Sequence, residues 1–152
     1  MIAVERRLSF IGTSIFYRLP NVGLIEYDFD HMIPDPFSYL PTDASRTIDI
    51  QKGDVLFRQN ETTSGLYHVV SGCVTLQRSS ELGNTLTLHR AVSGGYFAEA
   101  SVFSMIYHCD AICTEAGSVV KIAKTDILSA MQSDPMFSER FTRLLAVQVQ
   151  QY

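Results

Sequence analysis

Three cysteines and several histidines are the residues of this sequence whose types could bind a metal ion or carry out redox chemistry. Cys73, Cys109 and Cys113 are odd in number and lack a disulfide-type spacing, which favours a reducing compartment, so we expect a cytoplasmic protein. Three of the four histidines show no His-x-His pair and no carboxylate at metal-ligand spacing. We therefore expect structural histidines and no resident metal; the histidines concerned are His31, His68 and His89.

Serine is plentiful, and nucleophilic catalysis is the chemistry it could supply. The sequence contains no Gly-x-Ser-x-Gly elbow, no Walker phosphate-binding loop and no paired carboxylates in a suitable context. We therefore expect a protein that is not an enzyme.

Composition limits the class of protein further. The 152 residues suffice for one domain, and 46% hydrophobic with 18% charged residues excludes a disordered chain or a charge-rich coiled coil. The net charge of −4 provides no global positive field for nucleic acid or an anionic membrane. Arg6-Arg7 before Leu8–Tyr17 has a faint export-signal shape, but no run approaches the about 18–20 apolar residues of a membrane span.

The elements that must position any site are mostly strands from Thr47 onward. Short apolar or alternating runs are separated by turn residues every 8–12 positions or so, which is typical of an antiparallel sandwich or barrel. Turns are predicted at Ser71-Gly72 and Ala116-Gly117-Ser118, among other glycine-containing breaks. The predicted strands are Thr47–Ile50, Val55–Arg58, Leu66–Val70, Val74–Arg78, Leu86–Ala91, Asp110–Thr114 and Val119–Ile122.

Helices are predicted at three further places. Val4–Phe16 could form a short helix within a proline-rich, irregular stretch, and Phe97–Met105 predicts a short helix between two strands. After Ile122, Thr125 or Asp126 could cap a helix to about Met131. A second helix is predicted to start at Ser133-Asp134-Pro135 and to carry an apolar stripe of Phe137, Phe141, Leu144, Leu145, Gln148 and Val149.

Three ordered segments resemble the Crp-Fnr family of bacterial regulators and cyclic-nucleotide-binding domains generally. KGDVLFRQNETTSGLYHVVSG (Lys52–Gly72) is similar to the family's glycine-turn pattern, with Asn60 where the family has its second glycine. LHRAVSGGYFAEASVF (Leu88–Phe103) resembles the phosphate-binding cassette, and YHCDAI (Tyr107–Ile112) is similar to a variant found in one branch of the family. The resemblance covers the chain from about Thr47 to Tyr152.

The resemblance implies a mainly β fold with flanking helices: a double-stranded β-helix (jelly roll) with a short cassette helix and a long C-terminal dimerisation helix. The expected organisation is an irregular or helical flank over 1–45, the jelly roll over 46–133, and the start of the dimerisation helix over 134–152. The absence of paired metal ligands argues against a cupin-type metalloenzyme, the main jelly-roll alternative.

The resemblance also implies an effector site. In the family, backbone N–H groups at the start of a short helix and an arginine bind the phosphate, and a carboxylate binds the ribose hydroxyl. Gly94 and Gly95 open the corresponding loop, Ala98 stands where the family has glycine, and Glu99 matches the ribose-binding glutamate. The implied pocket residues are Gly94, Gly95, Phe97, Ala98, Glu99, Ala100, Tyr107, His108 and Cys109.

One departure from the family pattern decides the expected ligand chemistry. The cassette arginine should fall near Ile106 to His108, and no arginine is there. Losing a charge-assisted hydrogen bond of about 1.5–3 kcal/mol weakens binding of a cyclic nucleotide ten- to a hundred-fold or more. We therefore expect a different small effector, or none, rather than a cyclic nucleotide bound in the usual mode.

Several alternatives stay open at these positions. Glu99 could be an exposed or N-terminal helix carboxylate that complements the helix dipole. Cys109 and Cys113 could be two small inward-facing core residues. His108-Cys109 with Cys113 could serve a metal, haem or redox role of the kind found in the wider family. Tyr67 and Tyr107 could be core or rim aromatics.

The C-terminal stripe and the end of the chain suggest how the protein assembles. Phe137, Phe141, Leu144, Leu145 and Gln148 are the expected homodimer interface, because the resemblance places them at the start of the family's dimerisation helix. No helix-turn-helix pattern follows, so we expect no specific DNA binding by this chain alone. The sequence thus predicts a ligand-sensing regulatory domain, or alternatively a ligand-free protein that dimerises with full-length regulators.

Overall fold

The computed structural model describes residues 10–11, 14–19, 23–28 and 35–151 of the chain. These residues fall into two compact units, Met1–Pro36 with Glu139–Tyr152, and Phe37–Ser138. Among the described residues, no helix has both the length and the apolar character needed to cross a bilayer. His31 lies outside the described residues.

The first unit contains a three-stranded antiparallel sheet. Its strands are β1 (Phe10–Ile11), β2 (Ser14–Leu19) and β3 (Gly23–Asp28), and β2 pairs with β3 from Ser14↔Asp28 to Leu19↔Gly23. The helix expected over Val4–Phe16 is therefore wrong in its described part. Isoleucine and aromatic residues favour a strand once a partner strand supplies the pairing, which a local helical pattern does not reveal.

The second unit is built around a six-stranded antiparallel sheet, preceded by two 3₁₀ helices, Pro36–Tyr39 and Thr42–Ala44. The strand order is β4-β9-β6-β7, with β5 paired to β9 and β8 paired to β6. This mainly β architecture confirms the predicted jelly-roll class. The strands are β4 (Ser45–Ile50), β5 (Val55–Phe57), β6 (Gly65–Ser79), β7 (Thr85–Val92), β8 (Tyr96–Phe97) and β9 (Asp110–Ala123).

Two predicted turns are wrong, because β6 and β9 continue through them. The pairing register shifts between Val69 and Ser71 and again between Ser71 and Cys73, which marks bulges in continuous strands. Gly72 has φ +85°, and a Cβ on Gly117 would collide with the carbonyl group of Ser71. Glycine here permits a bend and a close backbone approach, so the same residues that indicate a turn in the sequence form paired bulges.

The core lies between the faces of this folded sheet. Inward-facing residues of several strands alternate with solvent-facing ones, as half-buried strands require. The buried cluster comprises Ile50, Phe57, Tyr67, Val69, Val74, Leu76, Ala91, Phe97, Tyr107, Ala111, Cys113 and Val119.

Two α-helices follow the sheet: α1 (Lys124–Ser133) and α2 (Pro135–Gln151). The expected cap of α1 by Thr125 or Asp126 is wrong: the N-cap is Ala123, and the Lys124 amide donates instead to the carbonyl of Ser64 at 3.0 Å. The predicted start of α2 is confirmed. Asp134 Oδ1 accepts hydrogen bonds from the amides of Met136 and Phe137 at 3.0 and 3.3 Å.

Phe37 joins the first 3₁₀ helix to elements far away in the sequence. Its ring centroid lies 5.6 Å from that of Tyr96 in β8 and 6.3 Å from that of Phe137 in α2. Phe37 thus packs against the strand that leads into the cassette.

Candidate functional site

The glycine-containing loop before the cassette is held by backbone hydrogen bonds within the protein. The Gly94 amide donates to the carbonyl of Val69 and the Gly95 amide to that of Val92, at 2.9 and 2.8 Å. The Val69 amide in turn donates to the carbonyl of Gly95 at 2.9 Å. Both glycine amides are therefore engaged in holding the loop to β6 and β7, rather than facing a ligand.

Ala98 marks the point where the strand turns into the cassette helix. It has φ 63° and ψ 25°, the left-handed conformation, immediately after β8 and before the 3₁₀ helix Glu99–Phe103. The sequence predicted a single helix over Phe97–Met105, and the structure has a two-residue strand and this shorter helix instead. A left-handed residue cannot lie within a right-handed helix, so Ala98 sets the boundary.

Glu99, the first residue of the cassette helix, is only 7% exposed. Its Oε1 atom is buried and has no hydrogen-bond partner. Burial raises the pKa of the carboxyl above its ordinary value of 4.5, and the opposing effect is a hydrogen bond with its own backbone. The expectation of an exposed Glu99 is therefore wrong, because the fold buries its side chain. Its expected position at the N-terminal end of the short helix is confirmed, since Glu99 is the first residue of that helix.

Tyr107 fills the centre of the region where the cassette arginine was expected. Its hydroxyl accepts hydrogen bonds from the amides of Ser64 and Gly65 at 3.1 and 3.3 Å and donates to the carbonyl of Gly65 at 3.1 Å. Its ring stacks on Phe57 with centroids 3.8 Å apart. Tyr107 is thus a core residue whose polar end is satisfied by the start of β6.

Tyr67 and Phe97 form a second stacked pair in the same core. Their centroids lie 5.0 Å apart, with the rings 7° from parallel. Burial and a hydrogen bond with the Tyr107 side chain raise the pKa of the Tyr67 hydroxyl well above its usual range. Four aromatic rings, Phe57, Tyr67, Phe97 and Tyr107, therefore pack together next to the cassette.

His108 and Cys109 lie at the edge of this core. His108 is exposed, and its Nε2 atom lies 3.3 Å from Ser104 Oγ. Cys109 is half-buried against the core, and burial raises the pKa of its thiol despite the nearby Arg78. Arg78 Nε donates to the carbonyl of His108 at 2.9 Å.

The alternative interpretation of the cysteines as core residues fits what the structure shows. Cys113 is buried, with its thiol donating to the carbonyl of Glu115 at 3.2 Å. All three cysteines are free. Within the part of the chain that the structure describes, no group of three or more His, Cys, Asp or Glu side chains could hold a metal ion.

The nine predicted pocket residues divide by exposure. Phe97, Glu99 and Tyr107 are buried together with the core, whereas Gly94, Ala100 and His108 are exposed. Gly95, Ala98 and Cys109 are half-buried. The sequence reasoning missed Arg78, Thr63 and Lys124, which contact the segment after the cassette helix only because strand pairing brings them there.

The predicted interface stripe on α2 is largely covered within the single chain. Phe137, Phe141, Leu144 and Gln148 are buried, and Leu145 is half-buried. The large apolar side chains that α2 leaves exposed are Met136, at 60%, and Val149, at 74%.

Comparison with known families identifies the class of this fold and site. The family model described as the cyclic nucleotide-binding domain matches residues 47–134, more than half of the chain. The chain belongs to the cyclic nucleotide-binding domain family. A search of curated protein sequences finds no match.

Solved structures with the same fold include transcriptional regulators. The sensor domain of the regulator DNR from Pseudomonas aeruginosa is 23% identical with a TM-score of 0.63, covering 72% of this chain and 74% of that domain. Thermus thermophilus Catabolite Activator Protein is 22% identical with a TM-score of 0.62, covering 76% of this chain and 58% of the regulator.

A third neighbour is described as responsive to c-di-GMP. It is the c-di-GMP responsive global regulator CLP of Xanthomonas campestris, 20% identical with a TM-score of 0.64, covering 72% of this chain and 54% of the regulator. The chain thus spans a little over half the length of the two full regulators. At these identities, the neighbours establish the fold.

Proposed function

We propose that this chain is a ligand-sensing regulatory domain of a Crp-Fnr-type transcriptional regulator that does not bind cyclic nucleotide in the usual mode. The observation that carries the proposal is Glu99: a buried carboxyl at the start of the cassette helix whose Oε1 atom has no partner. An unsatisfied buried polar group costs about 1–3 kcal/mol. A ligand that donates a hydrogen bond to Oε1 removes that cost, so the site favours such a ligand.

The positions around the missing arginine argue against an anionic ligand. Ile106 carries no charge, the Tyr107 hydroxyl is engaged by Ser64 and Gly65, and His108 is exposed. None of these three offers the guanidinium that would neutralise a cyclic phosphate. We therefore expect an effector that presents O–H or N–H groups and no negative charge to Glu99. The c-di-GMP response stated for CLP supports a change of effector on the same fold.

Thermal shift with matched ligand pairs tests the proposal. Adenosine and guanosine are compared with their 3′,5′-cyclic phosphates and with cyclic di-GMP, on the wild-type chain and on Glu99→Gln and Glu99→Ala. A ligand at a hundred times its Kd stabilises the fold by about 2.7 kcal/mol. We expect each nucleoside to stabilise the wild type more than its cyclic phosphate, and both Glu99 variants to lose that stabilisation.

Two results would contradict the proposal and a third would correct the location of the site. Glu81→Gln, on an exposed turn, is the control for loss of one negative charge. A full shift with Glu99→Ala, or a preference for the cyclic phosphates, counts against a site for uncharged donors at Glu99.

Ile106→Arg is expected to add cyclic-nucleotide affinity at a half-exposed position, whereas arginine at buried Tyr107 would disrupt the core. No gain with Ile106→Arg would place the phosphate position elsewhere.

One observation favours a second candidate, a ligand-free protein that pairs with full-length regulators. Phe57, Tyr67, Phe97 and Tyr107 are each at most 3% exposed, so side chains already fill the core beside the cassette. This candidate predicts no thermal shift with any ligand of the panel. It also predicts that adding the chain to a full-length regulator of this type reduces the regulator's DNA binding in a gel-shift assay.

We also propose that the chain forms a homodimer through α2. Four of the five side chains proposed for the interface are covered within one chain. The proposed interface residues are Phe137, Phe141, Leu144, Leu145 and Gln148. The apolar groups of the helix available to a second copy then include the half-buried Leu145 and the exposed Val149.

A further inference from the structure

Lys124, the first residue of α1, reaches back to the segment that follows the cassette helix. Its Nζ atom donates to Thr63 Oγ1 at 2.7 Å and to the carbonyl oxygen of Ser104 at 2.6 Å. Thr63 Oγ1 donates to the same Ser104 carbonyl at 2.6 Å. An ammonium, a hydroxyl and a carbonyl therefore close a triangle that joins three separate parts of the chain.

Ser104 reports the position of the cassette helix. It is the C-cap of the 3₁₀ helix Glu99–Phe103, and its amide donates to the carbonyl of Ser101 at 3.2 Å. It lies five positions after Glu99 in the sequence. A displacement of this short helix therefore moves the carbonyl that Lys124 binds.

The segment around Thr63 lies between the cassette and α1. The Thr63 amide donates to the carbonyl of Met105 at 3.1 Å, and Thr62 forms an isolated bridge with Ile106. On the other side, the Lys124 amide donates to the carbonyl of Ser64 at 3.0 Å. The side-chain triangle thus reinforces a backbone connection that runs from the cassette to α1.

The ammonium group of Lys124 donates hydrogen bonds to two neutral oxygens. Thr63 is 7% exposed and Lys124 is half-buried, and within the described chain the structure shows no carboxylate in ion-pair contact with the ammonium. Charge-assisted bonds to neutral acceptors are strong but short-ranged, so they are lost when the Ser104 carbonyl moves by an ångström or two. Such a contact responds to small displacements.

We propose that Lys124 is a positioning residue that couples the conformation of the cassette helix to the position of α1 through Thr63 and Ser104. With the triangle closed, α1 is held against the segment after the cassette. A ligand that displaces the cassette helix opens the triangle and releases the first turn of α1. The role as a signal rests on the proposed sensing function, whereas the coupling itself is a property of the chain without ligand.

Hydrogen exchange of the full chain without ligand tests the coupling. In Lys124→Met, which keeps the length of the side chain and removes its charge, we expect amides of 104–107 and of 124–128 to exchange about tenfold faster, in parallel. Amides of β7 should keep their wild-type rates. Lys124→Arg and Thr63→Ser should restore much of the protection.

Lys52→Met, in an exposed turn, is the matched control for loss of one positive charge. Thr63→Val removes the hydroxyl at nearly constant shape, and the double variant Lys124→Met with Thr63→Val should be little worse than Lys124→Met alone. Faster exchange confined to 124–128, or additive effects of the two substitutions, would overturn the proposal. The exchange experiment uses no ligand, so its result does not depend on the ligand panel that tests the proposed function. Either proposal can therefore fail without the other.

Discussion

At the scale of single residues, two departures from the family's glycine pattern fall at positions with an unusual backbone conformation. Asn60 and Ala98 stand where the family has glycine, and they are the two non-glycine residues of the described chain with positive φ, 72° and 63°. Asparagine tolerates the left-handed region, but alanine gains no compensating hydrogen bond there. The cassette is therefore strained at the residue next to Glu99.

Replacing Ala98 by glycine should stabilise the protein. The left-handed conformation costs alanine roughly 1–2 kcal/mol, and glycine avoids this cost. The greater conformational freedom of glycine in the unfolded state offsets part of the stabilisation. We expect Ala98→Gly to raise the free energy of unfolding by about 0.5–1 kcal/mol, measured by urea denaturation. Ala100→Gly, in the right-handed cassette helix, should lower it; a loss in both variants would contradict the strain at Ala98.

The raised pKa of Glu99 makes a prediction about pH. A carboxyl whose folded pKa lies above its unfolded value contributes stability below about pH 4.5, and this is lost as pH rises through the folded pKa. Glutamine has no such loss. The free energy of unfolding of Glu99→Gln, relative to wild type, should therefore rise as the pH increases above about 4.5.

Urea denaturation at several pH values within this range measures the difference, with Glu81→Gln as the control for loss of one negative charge. A constant difference between wild type and Glu99→Gln at these pH values would show that burial does not raise the pKa of this carboxyl.

At the scale of elements, glycine-containing breaks in the sequence have two outcomes. Ser80 to Gly83 forms a turn, with Gly83 donating to the Ser80 carbonyl at 2.9 Å, and it ends β6 as expected. Ser71-Gly72 and Gly117 instead lie opposite each other on β6 and β9 and form bulges. The difference depends on a partner strand that bends at the same place, which local composition does not encode.

Gly117→Ala should therefore be strongly destabilising. Its Cβ would collide with the Ser71 carbonyl group, so the two strands must separate, and we expect a loss of about 3 kcal/mol in urea denaturation. Gly83→Ala is the control, because its φ of +80° imposes left-handed strain of about 1–2 kcal/mol without any nearby atom. Equal losses in the two variants would contradict a close approach at Gly117.

At the scale of the whole molecule, the proposed homodimer rests on α2. Most of its apolar stripe is covered within one chain, which leaves Val149, at 74% exposure, as a prominent apolar side chain of the helix. A helix that pairs with a second copy through few apolar residues forms a weak interface, sensitive to a single charge.

Light scattering at tens of micromolar should find a dimer of twice the chain mass of 17.0 kDa. Val149→Asp should shift the population to monomer, because a charge would be buried between the helices. Leu82→Asp is the matched control, since Leu82 is 89% exposed on the turn between β6 and β7. A monomer at this concentration for the wild type would contradict the homodimer.

The sequence by itself determined the class of fold and the positions of most strands of the jelly roll. Alternation and capping, which are local properties, predict most strands of the second unit and the start of α2 at Asp134. The cassette around Glu99 is what the resemblance to the Crp-Fnr family implies. The missing arginine is also a fact of the sequence, and it supports the proposal that the effector is not a cyclic phosphate bound in the usual way.

Only the tertiary structure decided which of these residues are buried and what they contact. Glu99 is buried without a partner, Tyr107 is a satisfied core residue, and Lys124 binds Ser104. Each depends on strand register and on segments that are distant in sequence but adjacent in the sheet, because side chains from β6, β9 and the cassette meet only after the long strands pair. For the same reason, the hairpin β2–β3 replaced an expected helix: the pairing of two strands outweighs the local preference of either.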